Sequence, residues 1–315
     1  MIDDETINRL KAYLRNGTLP DLVRSGLWKF KQKAAEFELR GDTLWHRDTN
    51  REVVNEQKAA EIIAQRYKES TNGRDRMFDE LKRQYYGISI RDINKFLQSN
   101  PVQQRFKPVP TSNPITQPTI TRAPNQIWQM DTTEYVNSKK ESIWMITVID
   151  CFSKFAWVKA LIKHNNKGVT AAETKEFIQS IFEANGAPSV LRTDNGNEFE
   201  SSFRQYITEY AAAHGGRPQH QRGSVYVKNS QGAIERFNRT LKTSCAKFCA
   251  ANAARGMKVA PRVVNWIVDQ YNESMHSTTK RRPVSLHNTN RNDPGAKQAR
   301  IRGLQLFFFL FLEEI

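Results

Sequence analysis

Residues 126–162 hold three β-rich runs in close succession, "QIWQMDTTEYV", "ESIWMITVIDCF" and "FAWVKALI", parted only by short polar stretches. Strands joined so closely pair antiparallel, so this segment predicts an antiparallel trio. "TAAETKEFIQSIFEANG" follows with helical periodicity and an Asn-Gly stop signal. "PSVLRTDNG" is a short strand, continuous and apolar enough to be central in a sheet. "EFESSFRQYITEYAAAHGG" reads as a helix, and residues 215–230 read as a loop without pattern. "GAIERFNRTLKTSCAKFCAANAARG" and "APRVVNWIVDQYNESMH" are two further helices. The order β-β-β-α-β-α-α specifies an α/β layer with a mixed sheet.

The flanking segments have a different character. Residues 1–40 show helical periodicity broken at "NGTLP", and "TLWHRDTNREVV" suggests a hairpin within 43–55. Helices are predicted over 56–70 and 73–87, and over "SIRDINKFLQS", which carries a Ser/Asp start signal. Residues 1–100 therefore form a small, mainly helical N-terminal region. Residues 101–125 are proline-rich with little periodicity and form a linker, and 126–290 hold the α/β unit. Residues 291–315 are a basic and then apolar tail, "LFFFLFL", too short to span a bilayer and suggestive of a truncated end.

Charge narrows the partners. The chain has a formal net charge of +15, a balance that favours a polyanion such as nucleic acid. Residues 1–50 hold nine Lys/Arg against eight Asp/Glu, whereas 236–302 hold fourteen against three. The basic footprint lies in the C-terminal part. Cys151, Cys245 and Cys249 form no CxxC pair and no disulfide framework, which fits a reducing compartment. The acidic N-terminus is no signal peptide, and no apolar run reaches membrane-spanning length, so no membrane partner is expected.

Three acids stand out by placement. Asp131 lies within the first strand, Asp194 at the tip of the fourth, and Glu235 early in the helix after the patternless loop. If the first and fourth strands are neighbours, Asp131 and Asp194 meet, and the helix brings Glu235 from the side. Three carboxylates without a His or Cys ligand set suit Mg²⁺ or Mn²⁺ rather than zinc. Ile234, Phe237, Leu241, Cys245 and Phe248 form one apolar stripe on that helix, while Glu235, Arg239 and Lys242 share an adjoining strip. Other readings are structural. Glu198 has capping-box spacing from Asn195, Asp150 suits a turn cap, Cys245 and Cys249 suit core packing, and His46 is a lone structural histidine.

"IWQMDTTEY", "VIDCFSKFAWV", "LRTDNGNEF", "AIERFNRTLK" and "YNESMHSTTKRRP" together resemble the catalytic core of retroviral-type integrases, with the nearest likeness to those of retrotransposons and Maverick/Polinton-type elements. The resemblance covers about residues 122–290. It implies an RNase H-like core with a mixed five-stranded sheet flanked by helices, and a D,D,E triad made by Asp131, Asp194 and Glu235. That triad would bind two Mg²⁺ or Mn²⁺ ions. Implied partners are DNA, both element ends and target, and further copies of the chain. The implied reactions are 3′-end processing and DNA strand transfer, in the nucleus.

Lys228, Arg236, Arg239, Lys242, Lys280, Arg281 and Arg282 are candidate DNA contacts. Forty residues separate Asp194 from Glu235, more than is usual in the family. Residues 67–104 resemble the family's zinc-binding N-terminal domain, yet Tyr67, Asn72, Asn100 and Gln103 stand about where its ligands would be. None is a usual zinc ligand, so no zinc is expected and an apolar core must hold that region. Alternative readings are a catalytically inactive DNA-binding relic and an RNase H-like nuclease acting on RNA–DNA hybrids.

Overall fold

The structure is a computed structural model that describes residues 3–106, 119–136, 142–163, 168–223, 231–256 and 258–288. The N-terminal region starts with α1 (Asp4–Asn16), which begins where the Asp3 carboxylate accepts the Thr6 N–H and ends at left-handed Gly17. α2 (Arg24–Ala35) follows, then β1 (Phe37–Arg40), β2 (Thr43–His46) and β3 (Arg51–Val53). α3 (Glu56–Ser70), α4 (Arg74–Leu81), β4 (Tyr85–Tyr86), α5 (Ile90–Ser99) and α6 (Pro101–Arg105) complete it.

This region carries more sheet than the sequence suggests. The expected hairpin is present, and β1, β2, β3 and β4 form a four-stranded sheet in that order. The helix expected over 73–87 stops at Leu81, because Tyr85 and Tyr86 pair in parallel with Glu52 and Val53. α5 starts with a capping box between Ser89 and Asp92, as its sequence indicates. Residues 101–105, expected in the linker, are helical, with Asn100 as cap and Pro101 at the first turn. The rest of the linker through 118, and the tail from 289, lie outside the described residues. His46 stacks on Tyr86 and meets Phe37 edge-on, a structural role.

Two apolar clusters hold the region. Ile7, Leu10, Phe30, Phe37 and Leu44 make one, and Ile63, Tyr67, Met77, Ile93 and Leu97 the core of the other. At the positions where the family resemblance puts zinc ligands, the polar groups have protein partners. The Tyr67 hydroxyl donates to Gln103 Oε1 (3.3 Å), which also accepts from Lys247 Nζ (3.0 Å). The Asn100 side chain accepts the Gln103 N–H, and Asn72 donates to Glu80 (2.9 Å).

The α/β unit holds β5 (Ile127–Val136), β6 (Ser142–Asp150) and β7 (Ala156–Ile162), the antiparallel trio. α7 (Ala171–Asn185) has a Thr170–Glu173 capping box and ends at Gly186, whose positive φ of 75° suits glycine. β8 (Val190–Thr193) pairs parallel to β5, and α8 (Ser201–Ala213) follows a short 3₁₀ turn. β9 (Gln219–Arg222), α9 (Gly232–Ala251), α10 (Pro261–Glu273) and α11 (Pro283–His287) end the described chain.

The sheet order is β7-β6-β5-β8-β9. β9 falls within 215–230, expected as a loop, and it is the fifth strand. Its residues, "QHQR", carry no apolar alternation; its pairing with β8 makes it a strand, and polar residues suit an edge. The strands alternate faces. Trp128, Met130, Ile146, Val148 and Leu191 pack beneath α7 and α8. Ile143, Met145, Ile149 and Ala156 pack under α9 and α10, where Cys245 is fully buried and Cys249 half-buried, both in the core as expected.

Besides this apolar packing, one side chain hydrogen-bonds α10 to β7. Buried Asn272 donates from Nδ2 to the Ala156 carbonyl (2.8 Å) and accepts the Ala156 N–H on Oδ1 (2.9 Å). Asn272→Leu leaves both buried backbone groups unpaired. A loss of about 3 kcal/mol in unfolding free energy is expected from urea denaturation; a loss within error of zero would mean that α10 is not fixed there.

Candidate functional site: carboxylates where β8 ends beside β5

The register of the central pair sets the site. Gln129 lies opposite Arg192, so two residues further along, Asp194 leaves β8 level with Asp131 on β5. Alternation puts Gln129 and Asp131 on one face, the face that α9 covers. Half-buried Asp131 is held by three neighbours. Its Oδ1 accepts the Thr132 N–H (2.8 Å) and its Oδ2 accepts from Asn238 Nδ2 (2.8 Å), while its backbone carbonyl accepts from the Thr147 hydroxyl (3.1 Å).

α9 is docked here at two points. The Gln129 side-chain oxygen accepts the N–H groups of Ala233 (3.2 Å) and Ile234 (3.0 Å), capping the start of the helix in place of a conventional cap residue. Asn238 makes the second contact, to Asp131. Glu235 lies between the two points, one turn before Asn238, and is exposed. Arg239 is exposed and Lys242 half-buried, one and two turns further along. The acid and two cations therefore share a strip beside Asp131.

Asp194 is exposed, and its Oδ1 accepts the Gly196 N–H (3.0 Å). Glu198 departs from expectation. It makes no capping box; Asn195 instead donates to the Gly223 carbonyl, and the Glu198 carboxylate accepts from the Thr132 hydroxyl. That carboxylate lies over Gly196 and would have to shift to admit a side chain there. Glu198 is thereby held close to Asp131. Burial, then the charge of Asp194, with a smaller push from Glu198, raise Asp131 to about 6, against the Thr132 and Asn238 hydrogen bonds.

Oxygen-only donors, mutual repulsion and a partly buried carboxylate are the chemistry that a hard divalent cation relieves, so the donor set fits Mg²⁺ or Mn²⁺. Asn238 Oδ1 is buried there without a hydrogen-bond partner, a further unsatisfied oxygen at this spot. As positioned, no three His, Cys, Asp or Glu side chains among the described residues stand close enough to hold a metal ion together. The fold thus brings Asp131 and Asp194 together and docks the helix of exposed Glu235 beside them.

The other singled-out residues fall in different places. Lys228 lies outside the described residues. Arg236 turns to the flank of α9 away from the Glu235 strip and lines a separate pocket. Lys280 and Arg281 are exposed on the turn before α11, whereas Arg282 reaches Asp79 of α4 (3.5 Å). Asp150 caps its turn as expected, accepting the N–H groups of Phe152 and Ser153 and the Ser153 hydroxyl. Gln129 and Asn238 are site residues that the sequence reading passed over, and Glu198 is one that it assigned to a helix cap. The spacing of Asn238, three after Glu235 on a helix, was the available signal.

Known proteins resemble this chain in sequence and in fold. Residues 121–221 match the integrase core domain family. The Pol polyprotein of Radiation murine leukemia virus (strain Kaplan) is 30% identical over 133 residues, 42% of this chain and 21% of that polyprotein. The chain thus matches about a fifth of that relative's length. A chain of the simian T-cell lymphotropic virus intasome in complex with PP2A regulatory subunit B56 gamma has a TM-score of 0.52 at 19% identity, covering 74% of each chain. The HTLV-2 integrase catalytic core domain in complex with magnesium has a TM-score of 0.40 at 23% identity, covering 52% of this chain and 97% of that one. The α/β unit has the RNase H-like fold of a retroviral-type integrase catalytic core.

The raised Asp131 value has a consequence for stability. The folded chain retains a proton up to about pH 6 that the unfolded chain releases near 3.8, so stability falls as pH rises through that window. Asp131→Asn removes the ionisation and keeps an acceptor for Asn238. In chelator-treated protein it is expected to gain about 2 kcal/mol over wild type near pH 7.5 and nearly nothing near pH 4. An equal gain at both pH values in urea denaturation would exclude charge repulsion as its source.

Proposed function

We propose that this chain, whose α/β unit is an integrase catalytic core of the retroviral type, is the DNA integrase of a mobile element. It would act in the nucleus on the element's DNA ends and on target DNA, as a homo-oligomer. The single observation that carries the reading is the meeting of Asp131 and Asp194 beside a helix docked through Gln129 and Asn238, one turn from Glu235.

Asp131, Asp194 and Glu235 are the proposed catalytic residues and would hold two divalent ions, Mg²⁺ or Mn²⁺, which supply charge stabilisation to the attacking and leaving oxygens of an in-line phosphoryl transfer. Glu235 is exposed, and its side chain would turn toward the pair by rotation about its own bonds. Asn238 orients Asp131 through Oδ2, and the Thr132 hydroxyl keeps Glu198 at the rim. Arg239 and Lys242, on the Glu235 strip, would hold backbone phosphates, and exposed Lys280 and Arg281 would extend the basic surface. Arg282 and Arg236 contribute less to that strip, since the first is engaged by Asp79 and the second lies on the other flank.

Two reactions follow. In end processing, water attacks a phosphodiester near the element's end and a 3′-hydroxyl leaves. In strand transfer, that hydroxyl attacks a target phosphodiester, and one bond forms as another breaks. Neither reaction needs a covalent protein intermediate. Among the described residues no helix is long and apolar enough to cross a membrane.

Oligonucleotides bearing the element's end sequence are expected to be nicked and joined only with Mg²⁺ or Mn²⁺. Asp131→Asn, Asp194→Asn and Glu235→Gln should each reduce joining by about a thousandfold or more while DNA binding persists. Full joining by Asp194→Asn would refute the assignment. Binding with no metal-dependent cleavage would favour the inactive relic, and preference for RNA–DNA hybrids would favour the nuclease.

A further inference from the structure

A second charged pocket lies on the flank of α9 away from Glu235, with a cavity of about 220 Å³. Four segments distant in sequence converge on it. α4 supplies Arg76, the β6–β7 turn Lys154, α9 Arg236, and the loop after α10 His276, Ser277 and Thr278. Among the described residues no carboxylate lines it. We propose that this pocket binds a phosphate group, held by Arg76, Lys154 and Arg236 with hydroxyls from Ser277 and Thr278.

Two of the three cations, Arg76 and Lys154, are held in place by the protein, and exposed Arg236 completes the rim. Arg76 Nε donates to the Met275 carbonyl (3.2 Å), and its guanidinium lies 5.5 Å from the centre of the Tyr271 ring. Lys154 Nζ donates to the Cys151 carbonyl (2.6 Å), which occupies one of three donors. The Thr278 N–H donates to His276 Nδ1 (3.2 Å), so the neutral ring carries its proton on Nε2 as a further donor. The nearby acids are engaged elsewhere. Glu80 is held by Arg66, Asn72 and Ser274, and Asp150 by its own turn.

Like charges gathered in a partly buried pocket repel each other, and an oxyanion with several acceptor oxygens offsets that repulsion. His276 reports the local field. Burial first, then Arg76, Lys154 and Arg236, push it down to about 4, so it stays neutral. Arg76 and Lys154 are likewise shifted down by burial. The pocket joins the N-terminal region to the α/β unit, so an occupying phosphate would also tie α4 to α9. This inference stands apart from the carboxylate centre and does not depend on its catalysis.

The test is a titration of the full chain with inorganic phosphate, read from the His276 ring resonance, which His276→Gln assigns. A saturable shift is expected, weakened about tenfold by Lys154→Gln and by Thr278→Val, neither of which removes the Arg76–Met275 contact. Absence of a saturable His276 shift, or equal affinity in both variants with unchanged melting temperature, would overturn the proposal. A second arm adds a short DNA duplex. Displacement of phosphate identifies the DNA backbone as the source of the bound group, whereas undiminished phosphate binding identifies a small soluble phosphate compound.

Discussion

Keeping Asp131 half-buried beside Asp194 is the constraint on which the site depends, since burial first and then the charge of Asp194 disfavour its ionised form. Two acids on adjacent parallel strands cost stability where both are ionised, and Glu198, pinned by Thr132, adds to the cost. A fold under selection for stability alone has no use for such a grouping. The surrounding structure works to keep it in place. Thr147 holds the Asp131 carbonyl, Asn238 holds its carboxylate, and Gly196 leaves the space that Glu198 occupies.

That arrangement depends on one docking. Gln129 caps the first turn of α9 from the same strand face that carries Asp131, so the helix start and the acid are set by residues two apart on β5. The apolar stripe of Ile234, Phe237, Leu241 and Cys245 then fixes the rotation of α9 on the sheet. With the stripe inward, Glu235, Arg239 and Lys242 must share the outer strip. Arg236, one residue on, is carried round to the opposite flank and into the phosphate pocket. One helix thus presents two different electrostatic surfaces, and its α10 neighbour is locked by Asn272.

Much of this was legible in the sequence. The antiparallel trio, the crossover helix and the central β8 follow from apolar pattern and from the Asn-Gly stop at Asn185 and Gly186. Asp131 and Asp194 could be paired once β5 and β8 were taken as neighbours. What escaped lacked a local signature. β9 is polar and is defined by hydrogen bonds to β8. β4 is two residues long and interrupts an apparently helical run. Gln129 and Glu198 act through tertiary contacts, and Glu198 also fits a local capping rule that the fold does not use. The Tyr67–Gln103 hydrogen bond and the Arg282–Asp79 contact are likewise long-range pairings.

Anomalous scattering from crystals of the full chain soaked in Mn²⁺ tests the carboxylate centre most directly. The account predicts a manganese peak coordinated by Asp131 and Asp194, with the Glu235 side chain rotated inward from its exposed position. Ordered carboxylates with no peak between them, or an ion bound only elsewhere, would contradict it.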